Sequence, residues 1–224
     1  SGTFNNFSTG TLIMPTTCSF SLNNSGQLLN SGTISIPTGT GLNVNDGATL
    51  TNNSTGTILN NASLSVAATA TMSNNGTYKG SGSFNTSLFT NPVNGHVAPG
   101  NSPGCQTFNN GFTTNGTLDI EANGTTACTQ YDKINVTGTA TLNGTLNFTV
   151  GYTPANGDVI TFINATSISG SFTSVNAPIG WYINYNVPSN GLVSMSYGAT
   201  IPPGAALDFD GVNDEVNMGD INAI

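Results

Sequence analysis

Few residues in this chain are able to do chemistry. Of its 224 residues only two are basic, Lys79 and Lys133; there is no Arg, one His (His96), three Cys and ten acids. Lyase chemistry needs a strong base, commonly Arg or Lys, beside a metal or neutralising cation, and a chain without Arg offers little toward it. Glycoside hydrolysis needs two carboxylates at a set separation, yet residues 1–118 contain one acid, Asp46. Asp119 and Glu121 flank apolar Ile120, so they share the outward face of one strand. They read as two solvated carboxylates in preference to a calcium or acid–base pair. His96, between Gly95 and Val97 in a turn-rich stretch, reads as a structural or solvated loop residue, and Asp132 as a residue that caps or turns the chain. No catalytic, cofactor-binding or metal-binding residue is assigned, and no enzyme activity is expected.

Charge narrows the partners. A formal net charge of −8 with two lysines excludes ordinary nucleic-acid binding, which requires a basic surface to displace counterions, and it disfavours anionic membrane surfaces. No run approaches the roughly 18 apolar residues of a membrane span, so membrane insertion is not expected. Charged residues make up 5% of the chain, while 36% are hydrophobic and recur at regular positions. That combination argues for a buried core and against disorder. Ser1-Gly2-Thr3-Phe4 already looks like strand sequence without a signal peptide, which is expected of a processed protein or an excised region of a larger one.

The elements that must position these residues form a repeat. Gly-Thr-apolar recurs as Gly10-Thr11-Leu12, Gly32-Thr33-Ile34, Gly56-Thr57-Ile58 and Gly76-Thr77-Tyr78, at spacings of 22, 24 and 20 residues. Apolar-x-Asn recurs as Phe4-x-Asn6, Leu28-x-Asn30, Leu50-x-Asn52 and Met72-x-Asn74. A third series runs Cys18-x-Phe20, Leu42-x-Val44, Leu64-x-Val66, with Phe84 one repeat later. Three short alternating strands within each period of about 22 residues leave no room for hairpin loops. They fit one triangular turn of a right-handed parallel β-helix, an all-β solenoid whose coils bury a core by stacking. Asn6, Asn30, Asn52 and Asn74 would then stack as a hydrogen-bonded ladder, and the repeated Gly would mark a corner of close backbone approach.

The chain divides into regular coils over 1–90, a Pro/Gly-rich connector over 91–104 that reads as turn throughout, further coils and an irregular cap over 105–198, and a linker with an acidic tail over 199–224. Cys18 falls in an alternating run and reads as a small buried hydrophobe. Cys105 and Cys128 lie 23 residues apart, about one coil, so they can stack and form a structural disulfide in an oxidising compartment. Trp181, Tyr182 and Tyr185 cluster in one strand and read as cap packing.

Ala98-Pro99-Gly100-Asn101-Ser102-Pro103-Gly104 opens an ordered set of motifs. It is followed by Leu118-Asp119-Ile120-Glu121, by Tyr131-Asp132-Lys133-Ile134-Asn135-Val136 running on to Gly144-Thr145-Leu146, by Gly151-Tyr152-Thr153-Pro154 with Gly157-Asp158, and by Ser169-Gly170-Ser171-Phe172. Over residues 98–197 this set resembles the β-helices of bacterial autotransporter-type passengers and related secreted surface adhesins. The resemblance implies a right-handed β-helix at the bacterial cell surface or secreted, serving as a stalk or display region. Ala206-Leu207-Asp208-Phe209-Asp210-Gly211-Val212 is similar to the opening strand of laminin-G-like, concanavalin-type jelly rolls, which often bind glycans or calcium; Asp208, Asp210 and Asp214 could supply oxygen ligands.

These readings converge on an extracellular structural or adhesive protein without cofactors, a stalk or fibre subunit that displays or joins other domains. Its expected partners are further copies of itself, adjacent domains of a larger surface protein, or glycans of a neighbouring cell surface. Leu207, Phe209, Val212 and Val216 are the candidate strand for assembly on a neighbour's sheet edge. Two alternatives stand beside it. Thr9-x-Thr11, Ser31-x-Thr33, Thr55-x-Thr57 and Asn75-x-Thr77 could form a hydroxyl-rich face for ice or another crystal surface, or a side face could bind glycans directly.

Overall fold

The computed structural model describes residues 2–186 and 189–198, and this portion is a parallel β-helix. Three walls of strands run along its axis, and each strand pairs with its counterpart one coil later. The first coil consists of Thr3–Asn6, Thr11–Ile13 and Ser19–Leu22, and the second of Gln27–Asn30, Thr33–Ile36 and Gly41–Val44. The third and fourth repeat the plan over Thr49–Val66 and Thr71–Asn85. The registers place like positions in columns: Phe4–Leu28–Leu50–Met72 in the first wall, Leu12–Ile34–Ile58–Tyr78 in the second, Phe20–Leu42–Leu64–Phe84 in the third. Successive residues of a strand face opposite ways, so these apolar residues fill the interior and the intervening Thr, Ser and Asn face solvent. Among the described residues there is no helix.

Buried amides run up one corner. Asn6 Nδ2 donates to Asn30 Oδ1 at 2.7 Å, Asn30 to Asn52 at 2.7 Å, Asn52 to Asn74 at 2.8 Å and Asn74 to Asn91 at 3.1 Å. Asn91 Nδ2 then donates to Thr114 Oγ1 at 3.2 Å. Each amide also donates to corner carbonyls, as Asn52 does to Gly56 O and Thr77 O. The Gly series sits beside this column because nothing larger fits: a Cβ on Gly76 would lie 2.2 Å from Gly56 O and 2.3 Å from Asn53 O.

Two expectations need correction. Cys18 is exposed, because Leu42 stacks on Phe20 and Val44 on Leu22, which leaves Cys18 ahead of the first strand of the third wall. The stretch 91–104 is not turn throughout: Phe89–Asn91 and His96–Pro99 are strands that continue the walls. Only Gly100–Gly104 leaves the coil, after which Cys105–Phe108 resumes the third wall.

Around this point the core becomes aromatic. Tyr78, Phe84, Phe89, Phe108 and Phe112 are fully buried and touch one another, with centroid separations such as 4.9 Å for Tyr78–Phe89 and 4.7 Å for Phe108–Phe112. Farther on, single long strands serve two walls. Lys133–Leu142 pairs first with Cys105–Phe108 and then with Phe112–Thr114, and its register shifts between Val136 and Thr139. Gly138, at φ 104°, makes the corner that a side chain would strain. Val159–Gly170 runs alongside it. The end is closed by antiparallel pairing of Leu192–Tyr197 with Val159–Gly170 and with Trp181–Tyr185, while Trp181 packs on Phe148 and Tyr197.

Asn52→Ala should lower the unfolding free energy by about 2–3 kcal/mol, since it leaves buried amide partners unpaired. The outward-facing Asn43→Ala should cost about 0.5 kcal/mol or less. Urea denaturation of the two variants checks this, and similar losses at both positions would contradict a buried ladder.

Candidate functional site

The outer face of the second wall carries the one concentration of charged side chains on the described rod. Its strands place every second side chain outward, so residues two beyond the repeated Thr form a column. Lys79 follows Gly-Thr-Tyr, Asp119 follows Gly-Thr-Leu and Asn147 follows Gly-Thr-Leu again. Asp119 pairs in register with Asn147, and Asn147 with Asn176. These side chains bond along the axis: Asn176 Nδ2 donates to Asn147 Oδ1 and Asn147 Nδ2 to Asp119 Oδ1, both at 2.8 Å. His96 Nδ1 lies 3.0 Å from Asp119 Oδ2. A carboxylate only accepts, so this contact fixes the proton on Nδ1.

Beside the column lies a cleft of about 270 Å³ whose lining includes Lys79, Ser102, Asp119, Glu121, Asp132 and Asn147. Its rim is the Gly100–Gly104 excursion, which Asp132 fastens to the rod. The buried Asp132 carboxylate accepts from Gly104 N at 2.7 Å and from Glu121 N at 2.9 Å. Ser102 Oγ donates to Glu121 Oε2, and Asn123 Nδ2 donates to Glu121 Oε1 at 2.7 Å. Asn101 Nδ2 reaches Asn61 Oδ1 at 3.0 Å. Burial pushes the Asp132 carboxyl up to about 7, with the neighbouring Glu121 adding to the rise; the two backbone donors and Lys79 pull the other way.

The disulfide joins Cys105, where the chain re-enters the third wall, to Cys128 in the loop leading to Asp132. Both ends of this bridge therefore serve the same fastening. Asp119 and Glu121 do share an outward face, but neither is simply solvated: each accepts two hydrogen bonds from the chain. His96 is the first residue of a strand and not a loop residue. Among the described residues no group of three or more His, Cys, Asp or Glu side chains converges to hold a metal.

The sequence marks Lys79 only as one of two basic residues, and it does not mark Ser102 or Asn147 as site residues. The phase of the Gly-Thr repeat carries enough signal to place Lys79 and Asn147 with Asp119, whereas nothing local aims Ser102 at Glu121. Gln106 is another residue the sequence does not flag: its amide is buried in the core with neither Nε2 nor Oε1 hydrogen-bonded.

Thr11, Thr33, Thr57 and Thr77 do stack in one outward column. Thr9, Ser31, Thr55 and Asn75 lie in the corners, and the neighbouring strand column reads Ile13, Ser35, Leu59, Lys79. Tyr185 accepts a hydrogen bond from Phe172 N at 3.0 Å and Trp181 is buried, while Tyr182 is exposed. The tail residues Leu207, Phe209, Val212 and Val216, with Asp208, Asp210 and Asp214, lie outside the described residues. No protein-family model matches the chain, and no curated protein is significantly similar to it.

Asp132 gives stability an unusual dependence on pH. Its carboxyl titrates near 3.8 when unfolded and at about 7 when folded, so between those values the folded state holds the extra proton. Its contribution to stability therefore declines as pH rises through that window. The melting temperature should be higher at pH 5 than at pH 8, and Asp132→Asn should flatten that slope whatever it costs in absolute stability. Reduction of the Cys105–Cys128 bridge, which closes a loop of 23 residues, should cost about 3 kcal/mol, read as a drop in the denaturation midpoint under dithiothreitol.

Proposed function

We propose that this chain is an extracellular structural rod, a stalk or fibre subunit that displays or joins other domains at a bacterial cell surface, without catalysis of its own. The observation that carries the reading is how the carboxylates are used. Each of the five described acids, Asp46, Asp119, Glu121, Asp132 and Asp158, already accepts a hydrogen bond from the chain itself. Side chains that could act on a ligand are instead committed to holding corners and loops. The disulfide agrees with an oxidising compartment, and the resemblance to autotransporter-type passengers and surface adhesins points the same way. Under this reading the segment similar to a jelly-roll opening strand is where a further domain or a neighbouring copy attaches.

The reading has two consequences in solution. The purified chain should show no retention on a glycan array, because adhesion resides in what the rod displays; saturable binding to one glycan class would shift the assignment to an adhesin. If the preparation forms filaments in electron micrographs, removal of residues 200–224 should leave single short rods. Their solenoid length should be about 34 Å, the seven spacings of ~4.8 Å between the eight rungs of the second wall. Filaments that persist without the tail would rule out tail-mediated assembly.

A further inference from the structure

The two ends of the rod differ. At the C-terminal end antiparallel strands and Trp181 cover the last coil. At the other end nothing among the described residues covers the first coil. Phe4 is 52% exposed and Phe20 40%, although their counterparts one coil in, Leu28 and Leu42, are 1% and 0% exposed. Phe7, in the corner that follows the first strand, stands out farther still, at 73%.

The amide ladder ends with the same bias. Every Asn donates toward the C-terminal side, so each Oδ1 from Asn30 to Asn91 receives an Nδ2 from the coil before it. Among the described residues no donor reaches Asn6 Oδ1, while its Nδ2 is committed to Asn30, Gly10 O and Thr33 O. The outer backbone edges of Thr3–Asn6, Thr11–Ile13 and Ser19–Leu22 are likewise the first in their sheets.

We infer that this end is a splice face for a further solenoid coil of the same pattern, tethered in the same polypeptide, whose corner Asn donates to Asn6 Oδ1. The face continues the coil-on-coil interface that repeats through the rod, with the same apolar columns, amide polarity and strand direction. A free second copy fits less well. Two such ends meeting head to head would oppose one Asn6 acceptor with another. The first coil also offers only 11 strand residues, against the roughly 20–30 per side of a stable interface. Tethering supplies the effective concentration that so small a face lacks.

The test is a chain carrying an additional copy of residues 27–48 directly ahead of Thr3, which preserves the native spacing. The melting temperature should rise by about 5 °C or more, and the strand amides of the first coil should gain protection from hydrogen exchange, because each coil's amides donate to the coil before it, as Gln27 N does to Gly2 O. Asn→Leu at the ladder position of the added coil should forfeit much of that gain. No rise in melting temperature, or unchanged exchange at those amides, would overturn the inference. So would sedimentation of the unextended chain as a dimer at about 10 μM, which would make a second copy the occupant. An increase in binding of anilinonaphthalene sulfonate when residues 199–224 are removed would overturn it too, because the tail would then be the cover.

Discussion

Each strand of the rod bonds to its own counterpart one turn later, and most other features follow from that stacking. Like residues lie about 4.8 Å apart up the axis, so a side chain meets its repeats before anything else. Inside, this favours identical apolar residues in columns and allows an amide column, because Asn both donates and accepts. Outside, it penalises charge, since like charges directly opposite on adjacent strands repel. The 5% charged composition agrees with this constraint: Thr, Ser and Asn tolerate being their own neighbours. Where charge does appear on the second wall the column is mixed, with Lys79 and Asp119 separated by Ala98 and Asp119 followed by Asn147.

The plan changes where the coil length changes. Asn91 follows Asn74 by 17 residues, but Phe108 follows Phe84 by 24. The slack is placed in Gly100–Gly104 and, one coil later, in the loop containing Cys128. Two excursions stacked on one edge would fray if left to solvent, and the disulfide, Asp132, and the Ser102–Glu121 contact hold them. Beneath them the fully buried aromatics fill an interior whose cross-section no longer suits Leu and Ile alone.

Much of this was legible from spacing, and the limits have physical causes. The Gly-Thr and apolar-x-Asn series fixed both the period and the identity of the ladder, because stacking demands repetition. Cys18 misled because alternation identifies a face but not where an end strand begins, and a two-residue slip carries that residue out of the strand into an exposed corner. His96–Pro99 was obscured because Pro and Gly dominate its surroundings, although parallel partners on both sides enforce a strand there. The cleft was half visible. Asp119 and Glu121 could be assigned to one face, but their donors come from segments as far as 28 residues away, a distance that only the coil closes.

The one-way amide column gives the rod a mechanical direction. Along it every side-chain amide points toward the capped end, and the covalent bridge lies beyond the fourth coil. Tension applied through the two ends thus meets an uneven ladder. The first four coils are held by noncovalent rungs alone and can peel away singly from the uncovered end, each releasing about 22 residues of slack. Chain between Cys105 and Cys128 cannot lengthen until the bridge is reduced. Peeling under such tension would therefore proceed in small steps ahead of the crosslink, while the loop of 23 residues that it closes keeps its length.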